Sequence, residues 1–169
     1  MIAAYLKLSG DAIGEIKGAV RDRDAVKDGG IALVAVEHGI ASPTDSASGL
    51  IVGRRQHLPL TVTKATDNTS PFFYQLMARN EPIRTAEIFF FGQAERPGLA
   101  PGREILQYKI TLKKAWVVRV EFVGHTDAAA QESNRFPLTE KISLTYDSIH
   151  WEWMSPKAST EDMFGSVKP

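Results

Sequence analysis

Alternation of apolar and polar residues, sustained over four separate segments, limits this chain to a fold built mostly from β-strands. "LPLTVTK" (58–64) sets Leu58, Leu60 and Val62 against Pro59, Thr61 and Thr63. "EILQYKITL" (104–112) places Leu106, Tyr108, Ile110 and Leu112 opposite Gln107, Lys109 and Thr111. "AWVVRVEFV" (115–123) sets Trp116, Val118, Val120 and Phe122 against Arg119 and Glu121. "LTEKISLTY" (138–146) sets Leu138, Ile142, Leu144 and Tyr146 against Thr139, Lys141, Ser143 and Thr145. Successive strand residues point to opposite faces, so each such strand has one packed and one wet face. "IALVAV" (31–36) and "AEIFFF" (86–91) are apolar on both faces, which predicts cover on both sides, from a second sheet or a helix.

The last alternating segment changes phase. Its apolar residues are even-numbered up to Tyr146, with Glu140 the polar exception, and then fall at Ile149, Trp151 and Trp153. A slip of one residue at Asp147–Ser148 predicts a β-bulge that bends a long strand so that it serves two sheets. The alternative is a tight turn between two strands. The shared parity of Trp151 and Trp153 with Ile149 favours burial in the core over a sugar-stacking platform.

One segment departs from strand periodicity. In "TDNTSPFFYQLMARNEP" (66–82), Ser70 suits an N-cap and Pro71 the first helical position, where no N–H is needed. Phe72, Phe73, Leu76 and Met77 form an apolar stripe at helical spacing, Arg79 lies near the C-terminus, and Pro82 prevents continuation. A helix this short is not stable alone in water, so its stripe must dock on the sheet, closing one end or face. The predicted fold class is therefore mainly β, a two-sheet barrel or sandwich with one short flanking α-helix and a long extended loop.

That loop is "GIASPTDSASGLIVGRR" (39–55). Loops of this length in compact domains are functional or disordered. Leu50, Ile51 and Val52, followed by Arg54 and Arg55, make an apolar tip beside two cations, the composition of a docking arm. "GQAERPGLAPG" (92–102) and "GHTDAAAQESNRFP" (124–137) read as plain connections. One domain is expected over 1–155. A polar tail over 156–169 follows it, expected to be mobile unless a neighbour holds it.

Charge narrows the partners. Lys plus Arg and Asp plus Glu are 20 each in 169 residues, and a zero balance argues against nucleic acid and against attraction to an anionic membrane. It favours self-association. There is no cysteine, which excludes disulfides, thiolate catalysis and Cys-ligated zinc. The N-terminus lacks the basic region and long apolar stretch of a signal peptide, and no window is long enough for a membrane-spanning helix. Folding in the cytoplasm is expected, and any export would proceed without a cleavable signal.

No catalytic constellation emerges. His38, His57, His125 and His150 show no metal-pair spacing, and a lone histidine such as His57 reads as a surface or capping residue. No nucleophile elbow or phosphate-binding glycine run is present. The charges of "RDRD" (21–24) and "EKISLTYD" (140–147) read as solvated faces. The chain is expected to carry no catalytic residue, cofactor or metal.

The ordered set of features resembles a known family. "YLKL", "GEIKG" and "IALVAVEHGI" lead to the arm with "PTDSASGLIVGRR", then "HLPLTVTKATDNTSPFFYQLM", "TAEIFFF", "EILQYKITLKKAWVVRVEFV" and "LTEKISLTYDSIHWEWM". Over roughly residues 2 to 154 this is similar to the haemolysin-coregulated protein (Hcp) family, the tube protein of type VI secretion. Lys64, Asp67 and Ser70–Pro71 match the Lys, acidic and Ser-Pro order of its most specific stretch. The resemblance implies a two-sheet β-barrel with a flanking helix, six protomers closing a ring, and rings stacking into a tube. A contractile sheath and a spike would be partners in export, and the lumen would chaperone small effectors. Residues 39–55 resemble the extended loop that reaches an adjacent subunit or ring. From this, Leu50, Ile51, Val52, Arg54 and Arg55 are the expected interface residues, with assembly in the cytoplasm before secretion. The competing readings are a non-assembling β-sandwich binding module, for example for carbohydrate, and a β-barrel enzyme.

Overall fold

The computed structural model describes residues 2–21, 24–93, 104–124, 138–154 and 156–164. The strands are β1 (Ala3–Gly10), β2 (Glu15–Ile16), β3 (Ile31–Leu33), β4 (Ala35–Glu37), β5 (Ile40–Ala41), β6 (Gln56–His57), β7 (Leu60–Ala65), β8 (Ile83–Gln93), β9 (Glu104–Gly124), β10 (Leu138–Met154) and β11 (Lys157–Met163), with helix α1 at Ser70–Ala78. Among these residues nine strands form one antiparallel sheet ordered β2-β1-β8-β9-β10-β7-β4, with β3 on β1 and β11 on β10; β5 and β6 make a separate ribbon. The two sheets expected from the sequence are thus one creased sheet. Its ends approach through residues 31–37: β3 pairs with β1, β4 pairs with β7, and Val34 between them donates to the Thr63 carbonyl at 2.7 Å.

The crease explains how one sheet makes opposite walls. Pairing skips Arg84 of β8, Lys114 of β9 and Asp147 of β10, three charged residues in one line across the sheet. Inward parity changes there in each strand: Ile83 to Ala86 and Ile88, Leu112 to Ala115 and Val117, Tyr146 to Ile149. Lys114 takes a left-handed φ of 50°, which re-aims the following side chains, and its Nζ meets Asp147 Oδ2 at 3.1 Å. The phase change expected at Asp147–Ser148 is therefore present, but no residue is inserted there, because Tyr146↔Ala115 and Ser148↔Lys113 keep one register. The bulge lies earlier, where β9 supplies Val117 and Arg119 to consecutive partners Leu144 and Ser143 and leaves Val118 unpaired. As a result Ala115 and Val117 face the core, whereas Val118 and Phe122, expected inside, are 44% and 54% exposed.

Helix α1 begins one residue earlier than the capping argument predicts. Ser70 is its first residue and Pro71 follows; Thr69 holds the cap position without a side-chain cap bond. Asp67 orders the approach to the helix, its Oδ1 accepting from Thr69 N at 2.8 Å. The C-terminus is a Schellman motif, with Asn80 at φ 48°, Asn80 N donating to Met77 O and Glu81 N to Leu76 O. Of the predicted stripe, Phe73 and Leu76 are buried in the main core, while Phe72 and Met77 stay exposed. Phe89 and Phe91, on the opposite face of β8, pack with Val26 of a 3-10 turn (Asp24–Val26), so cover for 86–91 comes from that turn instead of a second sheet. The 31–36 run is covered less fully, with Val34 exposed.

Residues 157–163 of the expected mobile tail form β11, paired residue for residue with Ser148–Met154. β10 thereby serves two neighbours on one edge, β7 along Thr139–Leu144 and β11 along Ser148–Met154. Trp151 packs partly against the core, but Trp153 is 44% exposed, against the expectation of burial. The expected connections fall largely outside the described residues, as does His125.

Candidate assembly surface at the arm

Residues 39–58 form an ordered β-hairpin. Its root pairs Ile40 with His57 and Ala41 with Gln56, and Leu58 N donates to Gly39 O at 2.9 Å. Further out, Val52 N donates to Pro43 O and Asp45 N to Leu50 O, and Thr44 bridges Ile51. The tip is built by Asp45, whose Oδ1 accepts from Ala47 N, Ser48 N and Ser48 Oγ at 2.7–3.2 Å. These bonds, chiefly those from Ser48, hold its carboxyl below the usual range. Gly49 closes the turn at φ 70°, a conformation that disfavours a Cβ.

On this scaffold Leu50, Ile51 and Val52 are 68%, 69% and 64% exposed. Three consecutive aliphatic side chains, held on a hydrogen-bonded hairpin and exposed among the described residues, form an apolar patch of the kind that marks interaction sites. Arg54 is exposed beside them. Arg55 is engaged at home: its guanidinium makes a two-pronged contact with the Asp162 carboxylate of β11, Nε to Oδ2 at 2.6 Å and Nη2 to Oδ1.

The root of the arm carries a group of residues that sequence spacing did not bring together. His57, expected at the surface, is buried. Its Nδ1 lies 2.9 Å from Tyr146 Oη and its Nε2 3.0 Å from Asp162 Oδ2. His38 Nε2 lies 2.6 Å from the same Tyr146 oxygen. Burial, then the charge of Asp162, pushes the Tyr146 phenol up, so it stays protonated and is a poor nucleophile at neutral pH. The Arg55 contact, ahead of those from Met163 N and His57, holds Asp162 well below the usual carboxylate range. Burial first, then His57, lowers His38. The signal for this meeting was the placement of His38 and His57 immediately outside the two ends of the arm; once the arm is a hairpin, they must be neighbours.

A second buried cluster fixes α1 to the sheet. Lys64 Nζ, inaccessible to solvent, donates to Glu140 Oε1 at 2.8 Å, to the Ala65 carbonyl at 2.8 Å and to Ser70 Oγ at 3.1 Å, and contacts Asp67 Oδ1 at 2.9 Å. Ser70 in turn donates to Glu140 Oε1 at 2.7 Å. Among the described residues no group of three His, Cys, Asp or Glu is placed to hold a metal ion, and no helix is long and apolar enough to cross a membrane.

The profile of the family described as "Type VI secretion system effector, Hcp" matches residues 5–153. The chain belongs to the Hcp family. The "Major exported protein" of Pseudomonas aeruginosa is 25% identical over 92% of this chain and 97% of its own length. Among solved structures, an Hcp protein superposes with a TM-score of 0.85 at 21% identity, covering 99% of this chain and 100% of that one. A variant of Hcp1 from E. coli EAEC 042 gives 0.80 at 29% identity, covering 97% and 99%. The β-sheet architecture with its flanking helix is thus that of an Hcp protein of the type VI secretion system.

Proposed function

We propose that this chain is a structural tube protein, not an enzyme, whose copies close into hexameric rings that stack into a secreted tube. The observation that carries the reading is the ordered arm with Leu50, Ile51 and Val52 in solvent. Burying each against a second copy contributes at most about 3 kcal/mol. A patch on one part of the surface meeting a different part of the next copy is a heterologous contact, which closes when the rotation closes. Arg54, which is exposed and engaged by no ion pair among the described residues, would pair across the interface and set register more than affinity. Sheath and spike proteins of the machine would be partners, with small effectors in the lumen. Assembly in the cytoplasm would precede export, in keeping with the name of the Pseudomonas relative. Replacing Leu50, Ile51 and Val52 together by Ser should abolish tubes and reduce the mass seen by light scattering. Unchanged assembly would remove the arm from this account.

One observation favours the non-assembling carbohydrate module: a cavity of about 300 Å³ lined by Ile2, Phe90, Gln107, Tyr108 and Trp153. Among the described residues Gln107 is the one amide in that lining, however, and sugar recognition needs several convergent polar groups. Glycan binding by a concentration-independent monomer would reverse the preference.

A further inference from the structure

We propose that His38 and His57, joined through the Tyr146 hydroxyl, lock the root of the arm to the C-terminal strand while they carry no more than one extra proton between them, and that a second proton opens the lock. The site draws on four separated parts of the chain: the turn before β5 (His38), β6 (His57), β10 (Tyr146) and β11 (Asp162). The chemistry of the donors gives the string a direction. An ionised carboxylate only accepts, so His57 Nε2 must donate to Asp162. With His57 neutral its Nδ1 is bare and accepts the Tyr146 O–H. The phenol oxygen then accepts from His38 Nε2–H. Every group in the string is satisfied with both imidazoles uncharged.

One proton fits without loss. On His38 Nδ1 it leaves the string as it stands. On His57 Nδ1 it reverses the string, His57 donating to Tyr146 and Tyr146 to His38 Nε2, with Asp162 balancing the charge. Two protons do not fit. Both ring nitrogens facing Tyr146 then carry hydrogens, the buried phenol hydrogen has no acceptor, and two imidazolium rings stand 6.2 Å apart between centroids. The titratable or charged groups touching the site among the described residues are His38, His57, Tyr146, Asp162 and Arg55. The rings of Trp151 and Phe164 complete its wall, and Asp147, beside Tyr146, is engaged by Lys114. The lowering of His38 by burial and by His57 has the expected sign: a depressed histidine makes the fold more stable above the ordinary value near about 6.5, and this is lost as pH falls below it. Asp162 stays ionised throughout that range, so the change belongs to the histidines.

The consequence for ring stacking rests on the tube reading, but the lock is tested on the dispersed chain, so the two stand or fall separately. Ring 15N shifts of both histidines would be followed by NMR from about pH 7.5 to about 4.5. Exchange of the Leu58 and Phe164 amides, which donate to Gly39 O and Asp147 O, would be followed alongside. Two separated steps are expected, the lower below about 6.5. Amide protection, corrected for the intrinsic rate, should fall about tenfold per pH unit from about 6.5 down to the lower step and level off below it. His38→Phe should remove the lower step with its loss of protection. Both histidines titrating together near the ordinary value with unchanged protection, or a lower step that survives His38→Phe, would overturn the proposal.

Discussion

Lys64 and Glu140 show what a single pair of residues does for this fold. Both are fully buried, and the pair sits where β7, β10 and the first residue of α1 converge. Removing one partner leaves an uncompensated buried charge, so Lys64→Met or Glu140→Gln alone should destabilise by about 3–5 kcal/mol in urea unfolding, whereas Lys64→Met with Glu140→Leu should recover most of that loss. Asp162 acts at lower pH. Its carboxyl is depressed, chiefly by Arg55, so its stabilisation is present above the unfolded value of about 3.9 and is lost as pH falls below it. Thermal melts of Asp162→Asn should therefore lack the part of the acid decline below about pH 4 expected of the natural chain. Lys64 and Ser70 were visible in the sequence as an ordered motif; their convergence on Glu140 was not, because Glu140 read as a break in alternation and, within "EKISLTYD", as part of a solvated face, whereas it is buried. A charged residue on the inward face of a strand is itself a sign of a buried partner.

At the scale of elements, the alternating segments located the long strands, and the helix announced itself through Pro71, the Phe73–Leu76 spacing and Pro82. What alternation did not disclose was where phase changes. Left-handed backbone is expected at Gly or Asn, and here it falls on Lys114. The bulge at Val118 has no residue signature either. Lys114→Gly should thus be neutral or stabilising by up to about 1 kcal/mol despite loss of an exposed ion pair, and Lys114→Val destabilising by about 1–2 kcal/mol, as read from chemical denaturation. β11 was missed for a different reason. "KASTEDM" carries no apolar pattern, because a strand on the outer edge of β10 is held by backbone bonds and by Arg55, not by burial. The helix contact is ordinary core packing: Leu76→Ala should cost about 2–5 kcal/mol in the same measurement.

For the whole molecule, the arm is the feature that barrel packing leaves unexplained. It is ordered to its tip, it emerges from a root tied to two other strands, and it holds three aliphatic side chains away from its own core. Composition alone marked Leu50, Ile51, Val52, Arg54 and Arg55 as candidates for a docking surface, and the first four are exposed. The engagement of Arg55 by Asp162 was not legible, since Asp162 lay in a segment that read as tail. An isolated barrel gains nothing from such a projection, while a ring or stack of copies does. Electron microscopy of the purified natural chain beside the Leu50→Ser, Ile51→Ser, Val52→Ser variant tests this most directly. Rings and stacked tubes for the first and their loss in the second are the predicted outcome. Single particles for the natural chain at every concentration, or tubes undiminished in the variant, would contradict it.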